Sequence, residues 1–113
     1  MRKEDLPKFG VAVSKDLWAK MWSKVIEEAQ RIQSILLNGR LYSRIRYGEE
    51  GWAESLPDHC HDCNVRKGQF HVPGCDMEKC PRCGEQLISC SCKKSGKWAN
   101  FIIPQDLGFE VIE

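Results

Sequence analysis

All seven cysteines of this chain lie between Cys60 and Cys92, and with His71 they fall into four pairs. The pairs are Cys60 with Cys63, His71 with Cys75, Cys80 with Cys83, and Cys90 with Cys92. Structural zinc is tetrahedral and accepts cysteine sulfur and histidine nitrogen. A C-x-x-C turn presents two thiolates to one ion, and its backbone N–H groups can hydrogen-bond to the sulfurs. Cys80-Pro81-Arg82-Cys83-Gly84 is the strongest instance. Proline presets the turn there, and glycine permits a left-handed residue after it. Cys60-His61-Asp62-Cys63 is the second instance. Seven is an odd number, so a full disulfide framework leaves one cysteine over. With His71, however, the donors make two four-ligand sites and none is spare.

His71 is preferred because it stands near Cys75, which otherwise lacks a partner. His59 and His61 are spare candidates, read as exposed or hydrogen-bonded histidines. Two combinations of the pairs are open. A sequential scheme joins Cys60, Cys63, His71 and Cys75, then Cys80, Cys83, Cys90 and Cys92. A crossed, ribbon-like scheme joins Cys60, Cys63, Cys80 and Cys83, leaving His71, Cys75, Cys90 and Cys92. Shorter loops cost less entropy to close, which favours the sequential scheme. Iron–sulfur chemistry is the rival for the all-cysteine set, and the histidine pair argues for zinc instead.

The chain has 113 residues, 42% hydrophobic and 29% charged, an ordinary globular composition. A chain this short buries a modest core, so a metal staple is expected. The formal net charge of +1 does not by itself imply a nucleic-acid partner. Met1-Arg2-Lys3-Glu4-Asp5 runs into Leu6-Pro7 with no apolar stretch behind it, and no segment reaches membrane-span length. The expected location is cytoplasmic, where thiols stay reduced.

The pattern predicts a small α+β fold, one domain over residues 1–113, with a double zinc-binding module at 59–92. Asp5-Leu6-Pro7 suggests a turn, and Val11-Ala12-Val13 a short extended piece. Residues 15–37 read as one amphipathic helix, with Ser14 as N-cap and Asn38-Gly39 as its stop. Its apolar stripe is Trp18, Trp22, Val25, Ala29, Ile32 and Leu36, widened by Leu17, Met21 and Ile35. That stripe reads as core, and self-association through it is the alternative. Residues 41–47 alternate like a strand, and Gly48-Glu49-Glu50-Gly51 ends it. Short strands are expected at Trp98–Ile103 and Phe109–Ile112.

CPRCG followed by CSC resembles the half-sites of zinc-ribbon and zinc-knuckle proteins. More narrowly, CHDCNVRKGQFHVPGCDMEKCPRCGEQLISCSC, with RLYSRIRYG before it, resembles a small cysteine-rich family of bacteria and phages that has no assigned biochemistry. The resemblance covers residues 40–92. It implies zinc at the eight positions above and nothing about the helix.

Four strong protein ligands close each site, and no nucleophile motif, phosphate-binding glycine loop or HExxH is present, so the reading is a binder and not an enzyme. A small regulator that inhibits or recruits another protein is the first hypothesis. Trp18 and Trp22 on the helix, or the Tyr42, Arg44 and Arg46 face, are then the contacts, since these residue types dominate interfaces. The alternative is nucleic-acid contact through Arg66, Lys67, Lys93, Lys94 and Lys97 with Trp98 as a stacking ring.

Overall fold

The computed structural model describes residues 6–112. The reading of Met1–Asp5, including the Asp5 end of the suggested turn, lies outside them. Strand β1 (Ala12–Ser14) leads directly into helix α1 (Lys15–Gln30). The Ser14 hydroxyl accepts from the Leu17 N–H at 3.2 Å, and Asp16 adds negative charge to the first turn.

The helix stops at Gln30, short of the expected 37. Ser34–Leu37 instead form strand β2, which pairs antiparallel with β3 (Arg40–Ser43). Asn38 and Gly39 both take positive φ, 51° and 79°, as the two-residue turn of a type I′ hairpin requires. Asn-Gly thus closes a hairpin here and does not end a helix. The helix C-terminus has a different cap: the buried Arg44 guanidinium donates to the carbonyls of Ala29 (3.1 Å) and Ile32 (2.8 Å). Strand β4 (Lys94–Ser95) adds to the other edge of β2, giving the order β3-β2-β4.

The strand expected over 41–47 therefore ends at Ser43. Leu41 is 68% exposed, whereas Tyr47 is buried. The strand expected at Trp98–Ile103 is absent. Residues 97–100 form a turn closed by Gly96, whose carbonyl accepts from Asn100, and Pro104–Leu107 make a single 3-10 turn. Near the C-terminus Glu110–Ile112 form β5, parallel to β1.

The core has two parts. The first gathers Ala29, Tyr47, Val65 and Val72 with Cys60, Cys63 and Cys75, and Trp22, Val25 and Ile26 of α1 pack over it. The second gathers Ile32, Ile35, Leu37, Leu87 and Trp98 with Cys80 and Cys92. Phe101 touches both. The helix is fixed across the first part by Gln30, whose side-chain amide both accepts from the N–H and donates to the carbonyl of Phe70. Among the described residues no helix is long and apolar enough to cross a membrane.

Candidate metal centres

Each C-x-x-C pair sits on the same hairpin, built twice. In the first, the Cys60 N–H donates to the Val65 carbonyl (2.8 Å) and the Asn64 N–H to the Cys60 carbonyl (2.9 Å). In the second, the Cys80 N–H donates to Glu85 (2.8 Å) and the Gly84 N–H to Cys80 (2.9 Å). The flanking bridges correspond as well, His59 with Arg66 and Lys79 with Gln86. The turn needs a left-handed residue after the second cysteine. Asn64 (φ 66°) and Gly84 (φ 81°) supply it, asparagine and glycine being the residues that visit this region most readily.

The two hairpins carry their cysteines to separate places. Cys60, Cys63, His71 and Cys75 form one cluster, and Cys80, Cys83, Cys90 and Cys92 form another; within each, all ligand atoms lie within 4.8 Å of one another. This is the sequential grouping. The Cys60 and Cys75 sulfurs are 3.6 Å apart, Cys63 Sγ is 3.5 Å from His71 Nδ1, and the Cys80 and Cys92 sulfurs are 3.8 Å apart. A tetrahedral ion with metal–sulfur bonds of about 2.3 Å sets its ligands roughly 3.8 Å apart, so both clusters could hold one. His59 and His61 are exposed and belong to neither cluster.

Glu50 completes the first centre, and it was missed as a site residue in the sequence. It is buried, and its carboxylate bonds to His71 Nε2. That leaves Nδ1 turned towards Cys63. The other carboxylate oxygen accepts from the Gly48 N–H at 2.8 Å, and the Glu50 carbonyl accepts from Lys79 Nζ at 2.9 Å. The Tyr47 ring meets the imidazole edge-on at 5.4 Å. A carboxylate behind a ligating histidine fixes ring and tautomer and raises ligand basicity. Nothing in the Gly48–Gly51 turn sequence distinguishes Glu50 from Glu49. Glu50→Gln is expected to lower metal affinity at this centre by about 10–100-fold and to spare the other, as competition with a chelator of known affinity would measure.

Cys63 and His71 each favour the charged form of the other. A hydrogen bond from Cys75 is the largest influence holding the Cys63 thiol down at about 4, with His71 helping. Burial opposes charge on His71, but its bonds to Cys63 and Glu50 outweigh that and lift it to about 10. Cys75 is pushed up by its bond to Cys63 and by burial. In the second cluster burial raises Cys80 to about 12, whereas Arg82, 3.4 Å from Cys92, lowers that thiol to about 7. A metal ion displaces the remaining thiol protons when it binds.

The proposed contact residues divide. Arg44 is not a surface contact: its side chain is fully buried, paired with Glu78 at 2.8 and 3.1 Å and bonded to the His71 carbonyl. The half-buried Trp22 donates its indole N–H to the Cys63 carbonyl at 2.7 Å and packs on the first core. Trp18 stacks on it with centroids 6.4 Å apart and stays half-exposed. Tyr42 packs on the second core, and the exposed Arg46 lies 4.2 Å over the Phe70 ring. Trp98 is not a stacking platform, because it is buried and its indole N–H reaches Glu78 at 3.0 Å. Lys94 is half-buried against the Cys90 carbonyl (2.7 Å), while Arg66, Lys67, Lys93 and Lys97 are exposed.

No protein-family model, curated protein or solved structure matches the chain. What the residues establish is a small α+β, cysteine-rich fold with two clusters that could hold metal ions.

Proposed function

We propose that the chain is a zinc-stabilised binding module with two structural zinc ions, which acts as a small inhibitor or adaptor of a partner protein. The observation that carries this reading is the closure of both clusters by four cysteine or histidine donors. A catalytic zinc keeps one position for water or substrate, and a thiolate-rich closed set is the pattern of a structural ion.

The partner surface favoured by the geometry is the groove where α1 meets the first hairpin, lined by Trp18, Ala19, Ser23, Ile26 and Asn64. Trp18 is the half-exposed aromatic anchor there, supported from behind by Trp22. Self-association through the helix is less well supported, since Trp22, Val25 and Ile26 already cover the first core.

Elemental analysis of untagged protein purified without chelator is expected to give two zinc ions per chain. One zinc, or iron with visible absorbance, would overturn the double structural site. Trp18→Ala is expected to abolish a host-protein complex at unchanged zinc content, and retention of the complex would move the contact elsewhere.

A second reading, nucleic-acid contact, keeps one observation in its favour. Arg46, Arg66 and Lys67 are exposed around one hairpin, where Arg46 donates to the Gly68 carbonyl and Lys67 approaches Gly48. Affinity falling steeply with salt would favour it over the protein partner.

A further inference from the structure

The two clusters differ in how solvent reaches them. Cys60, Cys63, His71 and Cys75 are all buried, none more than 4% exposed. In the other cluster only Cys80 and Cys92 are buried, Cys90 is half-buried and Cys83 is exposed. Cover differs in the same direction. The first cluster lies beneath α1, Tyr47 and the Glu50–His71 pair. The second has Ile35, Leu37, Leu87 and Trp98 on its inner side, with the exposed Arg82 and Cys83 on the tip of its hairpin.

Ligand chemistry adds to the contrast. Four thiolates on a divalent ion carry one more negative charge than three thiolates and an imidazole. More charge on the sulfurs makes them better nucleophiles, and exposure decides which of them is reached. The Arg82 guanidinium lies 3.4 Å from the Cys92 sulfur, on the same side of the fold as the exposed Cys83 hairpin tip.

Resting on the zinc reading above, we propose that the Cys80–Cys83–Cys90–Cys92 cluster is a modification site for hydroperoxides, attacked at Cys83, which discharges its ion on oxidation while the first cluster keeps its own. With hydrogen peroxide, the Cys83 thiolate attacks one oxygen, the O–O bond breaks, and a sulfenic acid and a hydroxide form. The Cys90 thiolate, within 4.8 Å, then attacks the sulfenic sulfur; the S–S bond forms and a second hydroxide leaves. Two sulfurs have lost two electrons to the peroxide, two protons from the acid form of the buffer convert the hydroxides to water, and the ion has lost two of its ligands. The second core, which contains Cys80 and Cys92, then loosens around Trp98.

The test uses the intact zinc-loaded chain and hydrogen peroxide, with a chromogenic chelator reading released zinc and peptide mapping reading the modified cysteines. One zinc per chain is expected to leave about tenfold faster than the other, with Cys83 and Cys90 oxidised first. Cys83→His, which keeps a donor but removes the attacking thiolate, is expected to slow that release about tenfold. Release of both ions together, no release, or first oxidation at Cys60, Cys63 or Cys75 overturns the proposal and leaves the zinc reading standing. A chain without zinc before treatment overturns both. Mapping on the native chain decides the matter even where the variant fails to fold.

Discussion

Stripping both metal ions with a strong chelator is expected to abolish the cooperative thermal transition and the near-ultraviolet circular dichroism of the tryptophans. The reason lies in what the two cores are made of. Cys60, Cys63 and Cys75 are members of the first, and Cys80 and Cys92 of the second. The buried residues around them are few: Ala29, Tyr47, Val65 and Val72 on one side, and Ile32, Ile35, Leu37, Leu87 and Trp98 on the other. The extended secondary structure is too short to compensate, since among the described residues no strand exceeds four residues. Structural zinc supplies about 10–16 kcal/mol of apparent binding free energy in small modules, and that free energy is folding free energy where no site exists in the unfolded chain. A transition that survives at the same temperature in the stripped protein would show that side-chain packing alone holds the fold.

Glu78→Ala is expected to cost about 3–5 kcal/mol, measured by urea unfolding at fixed free zinc. Glu78 and Arg44 are paired with both side chains fully buried. Losing the carboxylate leaves a guanidinium without a counter-charge in a dry interior, and that desolvation penalty is the source of the magnitude. Further contacts depend on the same carboxylate. It accepts from the Trp98 indole, and it orients the guanidinium that caps the end of α1 at Ala29 and Ile32 and bonds to the carbonyl of His71. Because Glu78 lies between Cys75 and Cys80, its loss is expected to be felt by both cores. A cost below about 1 kcal/mol would mean that water replaces the missing partner.

The gathering of the eight cysteine and histidine residues into two clusters was legible because spacing within a turn is local information, and a C-x-x-C hairpin can be recognised from its own residues. The N-cap at Ser14 was legible for the same reason. What failed depended on distant partners. Ser34-Ile35-Leu36-Leu37 is apolar enough to continue a helix, and Asn38-Gly39 suits a helix end as well as a hairpin. Strand β4 settles the matter by pairing Lys94 and Ser95 with Leu37 and Leu36. Arg44 looked like a surface residue because its neutralising glutamate stands 34 positions later. Trp98, beside three lysines, looked like a stacking ring until Glu78 supplied its acceptor. Glu50 had no local mark at all, because its role exists only once His71 is brought against it.

The parallel pairing of β1 with β5 has a mechanical consequence. Ala12 lies opposite Glu110 and Ser14 opposite Ile112, so the start of β1 and the end of β5 stand at opposite ends of the strand pair. Tension between Ala12 and Ile112 draws the strands past each other lengthwise. The bonds between them are then strained together, in shear, and not unzipped one after another. Both hairpins and both cysteine clusters lie in the chain enclosed between these strands. A pull on the molecule is therefore borne first by this small clasp, and reaches the clusters only after it has slipped.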